Sequence, residues 1–192
     1  MNAAAIIEIL QRAVPGAAYE AGASSDQPTI YVPLERLVET CRVLRDAPEL
    51  QFSFLAEVTA ADYLPREPRF EVVYHLACLG TPAFPSGQPS SPRRLRVKVR
   101  VGGADPHVST VSGLWGAANW LEREVWDLFG IVFDGHSDLR RLLTPEDWEG
   151  HPLRKDYPVQ IRMTAHATEA LQLTPEQFAA NIAAARRRPG NK

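Results

Sequence analysis

The chain has 192 residues, is 45% hydrophobic, carries a formal charge of −2 and contains two cysteines. That length supports one real core, with folding expected to bury about 70% of the surface the unfolded chain exposes, and predicts one domain with appendages. Near-neutral charge excludes a strong pull on nucleic acid or anionic membrane by the whole-protein field; two thiols exclude a disulfide scaffold, a CxxC metal site and an ordinary four-cysteine iron–sulfur cluster.

The first residues, MNAAAIIEILQR, lack a basic leader, and Glu8 interrupts their apolar part, so no secretory signal is expected. No apolar run approaches the roughly 20 residues of a membrane span, and a reducing cytoplasmic compartment fits. Ile6, Leu10 and Val14 step by four until Pro15-Gly16, which predicts a helix over 2–14. TIYVP at 29–33 reads as a strand. Pro33 then opens a helix whose apolar stripe is Leu34, Leu37, Val38, Cys41 and Leu44. Cys41 therefore belongs to the core.

From Leu50 the character turns to β. QFSFLAEVT, RFEVVYHLACL and RRLRVKVRV are rich in β-branched and aromatic residues, and TPAFPSGQPSSP at 81–92 is a long loop. Strands 70–79 and 94–101 are predicted to pair antiparallel. In the second, Leu95, Val97, Val99 and Val101 face one side while Arg94, Arg96, Lys98 and Arg100 face the other. A row of four cations raises the question of nucleic acid. A solvated face, a charged edge or a docking surface explains it equally, and no aromatic platform interleaves with the cations. No nucleic-acid partner is expected.

Leu114, Ala118, Leu121, Val125 and Leu128 step by three and four, predicting a helix over 114–129 with Gly130 as its C-cap. IVF at 131–133 is a short strand. The next stretch is polar: DGHSDLRRLL, then TPEDWEGHPLRKDYP. Such a segment is expected to be stable mainly by lying on a partner, and to be mobile without it. The resulting division is an α+β core over 1–133, an extended partner-binding tail over 134–173, and a short helix from Thr174 with a basic end over 174–192.

Between Leu121 and Arg141 stand Glu122, Glu124, Asp127 and His136, which could be an acid–base or metal site. Glu122 and Glu124 point roughly 200° apart on a helix and cannot flank one substrate. Glu124 and Asp127 share a face, and Arg123 and Asp127 can form a surface ion pair. His136 and His151 lie on loop without metal-ligand spacing. No phosphate loop or nucleophile elbow is present. A hydrolase using Glu124, Asp127 and His136 is one reading. A docking surface anchored by Trp, Tyr and Arg is the other.

ERE-x-x-D-L-F from Glu122 to Phe129, followed by His136, Arg140 and Leu142-Leu143, resembles the signature of the 30-kilodalton subunit family of respiratory complex I, the NADH–quinone oxidoreductase. VSGLWGAANWLERE, GHPLRKDYP, FLAEVTAADYL and FEVVYHL carry the same resemblance; residues after Val159 depart from it. The resemblance implies an α+β fold with helices on a mixed sheet and a C-terminal tail wrapping its neighbour. It implies a non-catalytic subunit of the hydrophilic arm, peripheral on the cytoplasmic side of the bacterial membrane. Its expected partners are the large subunit that lines the quinone pocket (the 49-kilodalton homologue) and neighbouring hydrophilic-arm subunits. This chain would bind no cofactor; NADH, FMN, iron–sulfur clusters and quinone would belong to the parent complex. An equivalent subunit of a related hydrogenase or dehydrogenase complex is the alternative. On this reading the partner-facing residues are Glu122, Arg123, Glu124, Trp126, Asp127, His136, Arg140, Trp148, His151, Arg154, Lys155, Asp156 and Tyr157. Arg154 and Lys155 would meet acids on the partner, with Trp148 and Tyr157 as anchors.

Overall fold

The computed structural model describes residues 1–80 and 91–158, and residues 1–157 form one compact unit. The fold is α+β, three helices on a mixed sheet. Helix α1 spans Ala3–Ala13, with the Asn2 side chain accepting the Ala5 N–H at 2.9 Å as an N-cap. Strands β1 (Glu20–Gly22) and β2 (Thr29–Tyr31) follow. After one 3₁₀ turn at Leu34–Arg36 comes α2, Leu37–Asp46. The clash of a proline ring with helical backbone before it explains why the chain turns into a helix only after Pro33. Next are β3 (Phe54–Asp62), β4 (Phe70–Cys78), β5 (Arg93–Val101) and β6 (His107–Ser109). Helix α3 (Ala118–Phe129) and β7 (Val132–Asp134) complete the regular elements.

The main sheet has the order β1-β2-β5-β4-β3. The β4–β5 pairing is antiparallel, as the sequence predicts, with Tyr74 opposite Val97 and Leu76 opposite Leu95. Strand β2 runs parallel to β5, so the chain crosses over through α2 and the β3–β4 hairpin. One column of the sheet, Ile30, Val97, Tyr74 and Val58, is buried with Ile6, Leu10, Leu37, Cys41 and Leu44 of the first two helices in a single core. Burial pushes the Cys41 thiol up to about 12, with the Glu122 carboxylate adding to the shift.

The cationic row of β5 is not bare. Arg96 bonds Asp26 at 2.8 Å, Lys98 bonds Glu71 at 2.8 Å and Arg100 bonds Glu20 at 2.9 Å, while the Arg100 guanidinium lies 4.1 Å over the Tyr31 ring. Acids from β1, β4 and the β1–β2 loop thus neutralise three of the four cations. Only Arg94 of that row lacks an ion pair among the described residues.

Three elements differ from the sequence reading: the start of helix α3 and the short strands β1 and β6, which it did not predict. Helix α3 begins at Ala118 and not at 114, because residues 111–117 form turns in which Leu114 and Trp115 both donate their N–H to the Val111 carbonyl. Arg45 of α2 fixes that turn by donating to the Leu114 carbonyl at 2.9 Å. Strand β1 is only three residues long and carries no period to read. Residues 81–90 of the loop expected at 81–92, the stretch 159–173 and the helix expected from Thr174 lie outside the described residues.

The boundary expected at 134 is also not where the compact unit ends; residues 134–157 belong to it. This segment runs along α3, which itself lies against β3. It has almost no apolar period, yet it is held by hydrogen bonds to buried charges. The expectation that it could be ordered only by a partner did not allow for polar groups of its own domain offsetting its backbone entropy.

Candidate partner interface

Asp127 is the centre of that attachment. Its carboxylate is fully buried. Oδ2 accepts the backbone N–H groups of Leu142 (3.0 Å), Leu143 (2.7 Å) and Thr144 (2.9 Å). Oδ1 accepts from the Thr144 hydroxyl at 2.5 Å and the Arg141 guanidinium at 2.8 Å. Burial alone would raise its pKa, but these donors hold the carboxyl well below the usual carboxylate range. Arg141, not Arg123, is thus its ion partner. Arg141 goes on to donate to the carbonyls of Trp148 at 2.6 Å and Gly150 at 3.0 Å, so one guanidinium ties three turns together.

Arg123 is buried as well. It donates to the carbonyls of Arg140 (3.1 Å) and Arg141 (3.0 Å), with its guanidinium 5.0 Å over Trp120. Glu122 is fully buried, taking the Val111 N–H at 2.7 Å and the Thr110 hydroxyl. Desolvation outweighs those two donors and raises its pKa. These three members of the expected interface are buried and bonded inside the chain. Glu124, between them, is half-buried and has no hydrogen bond or ion pair among the described residues.

Both nitrogens of His136 are occupied, Nε2 by the Asn119 carbonyl at 3.0 Å and Nδ1 by the Asp138 N–H at 3.1 Å. In that pattern Nε2 donates and Nδ1 accepts. His151 donates from Nδ1 to the Asp127 carbonyl at 2.9 Å and packs edge-on to Trp126, ring centroids 6.1 Å apart. It fits only because residue 130 is glycine. Gly130 caps α3 at φ 74°, and a Cβ there would lie 2.5 Å from His151 Cδ2.

A second clasp holds the end of the segment, and sequence reasoning missed it. Arg69, buried, bonds Asp62 at 2.7 Å and Asp156 at 2.7 Å, while Asp62 also accepts the Lys155 N–H at 2.8 Å. Burial would raise the Asp62 pKa, but Arg69 and the N–H groups of Lys155 and Leu64 hold it at about 2. Arg69 and then Arg154 hold the Asp156 carboxyl well below its ordinary range. Arg154 is spent on Asp156 at 3.2 Å and on the Phe70 ring, so it is not the free cation expected to meet acids on a partner. Trp148 and Tyr157 stack on each other with centroids 6.5 Å apart, and Tyr157 donates to the Glu149 carbonyl. Arg140 is exposed and pairs with Asp138 at 2.9 Å. The signal available in the sequence was an acid and an arginine at the two ends of the β3–β4 turn; nothing in it pointed to Asp156.

The hydrolase set is thus dismantled. Asp127 is saturated with donors, both His136 nitrogens are used, and Glu124 is bonded to neither of them. Among the described residues, no group of three or more His, Cys, Asp or Glu side chains is placed to hold a metal ion. The arrangement can rigidify a surface.

Residues 30–162 match the family described as the respiratory-chain NADH dehydrogenase, 30 Kd subunit. The chain belongs to that 30-kilodalton subunit family. A relative in Roseiflexus sp. (strain RS-1), named as a subunit of NADH-quinone oxidoreductase, is 45% identical over 159 residues, covering 83% of this chain and 86% of its own. A relative in Thermus thermophilus, also named as a subunit of that oxidoreductase, is 51% identical over 135 residues, 68% of this chain and 62% of its own. Among solved structures, a trypsin-resistant fragment of Nqo5 superposes with a TM-score of 0.56 at 38% identity, over 72% of this chain and all of the fragment. A chain of an archaeal membrane-bound sulfane sulfur reductase shares the fold at TM-score 0.61 and 24% identity, over 81% of this chain and 85% of that one. In this chain the ERE-x-x-D-L-F run is a structural strut: Arg123 and Asp127 bind the segment after it, and Glu122 binds the turn before it. No helix among the described residues is long and apolar enough to cross a membrane.

Proposed function

We propose that this chain is a non-catalytic structural subunit of the hydrophilic arm of a proton-pumping NADH:quinone oxidoreductase, docked on the large 49-kilodalton-type subunit at the quinone site. The supporting observation is the Asp127 cage. A carboxylate saturated by three backbone N–H groups, a hydroxyl and a guanidinium has no capacity left for chemistry, but it sets an irregular surface rigidly in place. Rigid presentation lowers the ordering cost of docking. NADH, FMN, iron–sulfur clusters and quinone are then bound by other subunits, and the chain is peripheral on the cytoplasmic side of the membrane through the complex alone.

The test is purification of a tagged chain from membranes of its own source. The large quinone-site subunit should co-purify in stoichiometric amount, and the chain expressed alone should carry no stoichiometric metal or flavin and turn over no quinone. Recovery of the chain without that large subunit, or about one metal per chain at high occupancy, overturns this function. Co-purified hydrogenase or other dehydrogenase subunits would instead place it in a related complex.

A further inference from the structure

Three of the seven large apolar side chains that the described residues leave exposed lie on α3 and the segment clamped along it: Trp120 (60% exposed), Leu143 (62%) and Leu153 (51%). Each is held at its base. Arg123 lies over the Trp120 ring, the Leu143 N–H is bonded to the Asp127 carboxylate, and the Leu153 N–H donates to the Leu128 carbonyl at 3.0 Å. Helix α3 rises about 12 Å from residue 120 to 128, and the Leu143 and Leu153 backbones are bonded at its 127–128 end, so all three residues belong to one ridge formed by α3 and its segment. Apolar side chains gathered on one element and rimmed by polar residues have the pattern of a protein contact.

The charge around the ridge specifies what fits it. Arg140 is paired with Asp138, Arg141 with Asp127, and Arg154 with Asp156. Between Leu143 and Leu153, by contrast, Glu146, Asp147 and Glu149 are exposed, and no ion pair or side-chain hydrogen bond compensates them among the described residues. Lys155 is the one cation of the segment without a carboxylate partner there. The free charge beside the leucines is therefore negative, the reverse of a basic tail seeking acids.

We propose that this ridge is the docking face, and that its occupant is a Lys/Arg-rimmed surface with apolar side chains at its centre on a neighbouring subunit of the same complex. This rests on the chain being a subunit of such an assembly. The apolar tips supply the buried centre, while the three acids set register and encounter rate.

The experiment uses the intact complex. One variant reverses the rim, Glu146→Lys/Asp147→Lys/Glu149→Lys; a second, Leu143→Ser, removes an apolar tip; Arg94→Glu on the polar row of β5 is the control. A photo-reactive group at position 143 identifies the neighbouring peptide. The rim and tip variants should each lower retention of the chain in the purified complex about tenfold, more at low salt than at high salt for the rim, with unchanged melts of the isolated chains and an unaffected control. The cross-linked peptide should be rich in Lys or Arg. Wild-type retention of the rim variant, or a cross-link to an acidic peptide or a second copy of this chain, overturns the proposal and leaves the subunit assignment standing. A wild-type chain found in no complex overturns both.

Discussion

The sheet with α1 and α2, and the segment 134–157 along α3, are both ordered, but by opposite means. The first is held by methyl and aromatic groups removed from water: Ile6, Leu10, Tyr74, Leu95 and Val97 are at most 1% exposed. The second contains few buried apolar groups and is held by charges, Asp127, Arg141 and Arg123 along α3 and Arg69 with Asp62 at its end. Apolar packing is non-directional and tolerates small changes, whereas a saturated buried charge fails as a unit when one partner is removed. The two regions should therefore respond differently to substitution and to acid.

The largest effect should follow Asp127→Ala. It leaves the Arg141 guanidinium and three backbone N–H groups without their acceptor, a cost of about 3–5 kcal/mol. Hydrogen exchange should show residues 138–153 losing protection while β4 and β5 keep theirs; uniform loss across the sheet would mean the two regions unfold as one. Val97→Ala in the centre of the sheet should cost on the order of 2 kcal/mol and lower protection everywhere, including the segment. A purely local response would break the comparison from the other side.

Acid should separate the regions more gently. Asp127, Asp62 and Asp156 have folded pKa values below their unfolded ones, so their stabilisation is complete above about pH 4 and is lost as pH falls toward 2, where Asp62 titrates. Glu122 has the opposite sign: its raised pKa makes its burial less costly in acid. Proteolysis or exchange as a function of pH should thus show the segment 138–157 opening first on acidification. Equal pH dependence of segment and sheet would exclude the charge-held account. The smallest effect is expected for Arg96→Ala, within about 0.5 kcal/mol in a denaturant melt, because its ion partner Asp26 is 59% exposed and solvent screens the pair.

The contrast also explains what could be read from the chain alone. The alternation of Leu95 through Val101, the pairing of β4 with β5 and the capping role of Gly130 were legible because each is a local pattern with a fixed period or a fixed position. Asp127 was legible as an acid on a helix, but not as the acceptor for residues 142–144, since that needs the chain to return fifteen or more positions later in a particular turn. The bond from Arg69 to Asp156 spans 87 residues and has no period at all. The same limit produced the mistaken expectation about the tail: low apolar content says what does not hold a segment, and the groups that do hold it were counted as its outward-facing contacts.

Cys41 offers a chemical clock for this architecture. With its thiol fully buried and pushed up to about 12, the reactive thiolate at neutral pH is on the order of one part in 10⁵, and it sits where no alkylating reagent or peroxide can reach. Beside a machine that handles electrons, such a thiol stays reduced for as long as the core stays shut. Its modification therefore counts openings of the whole domain and is blind to any peeling of the segment along α3.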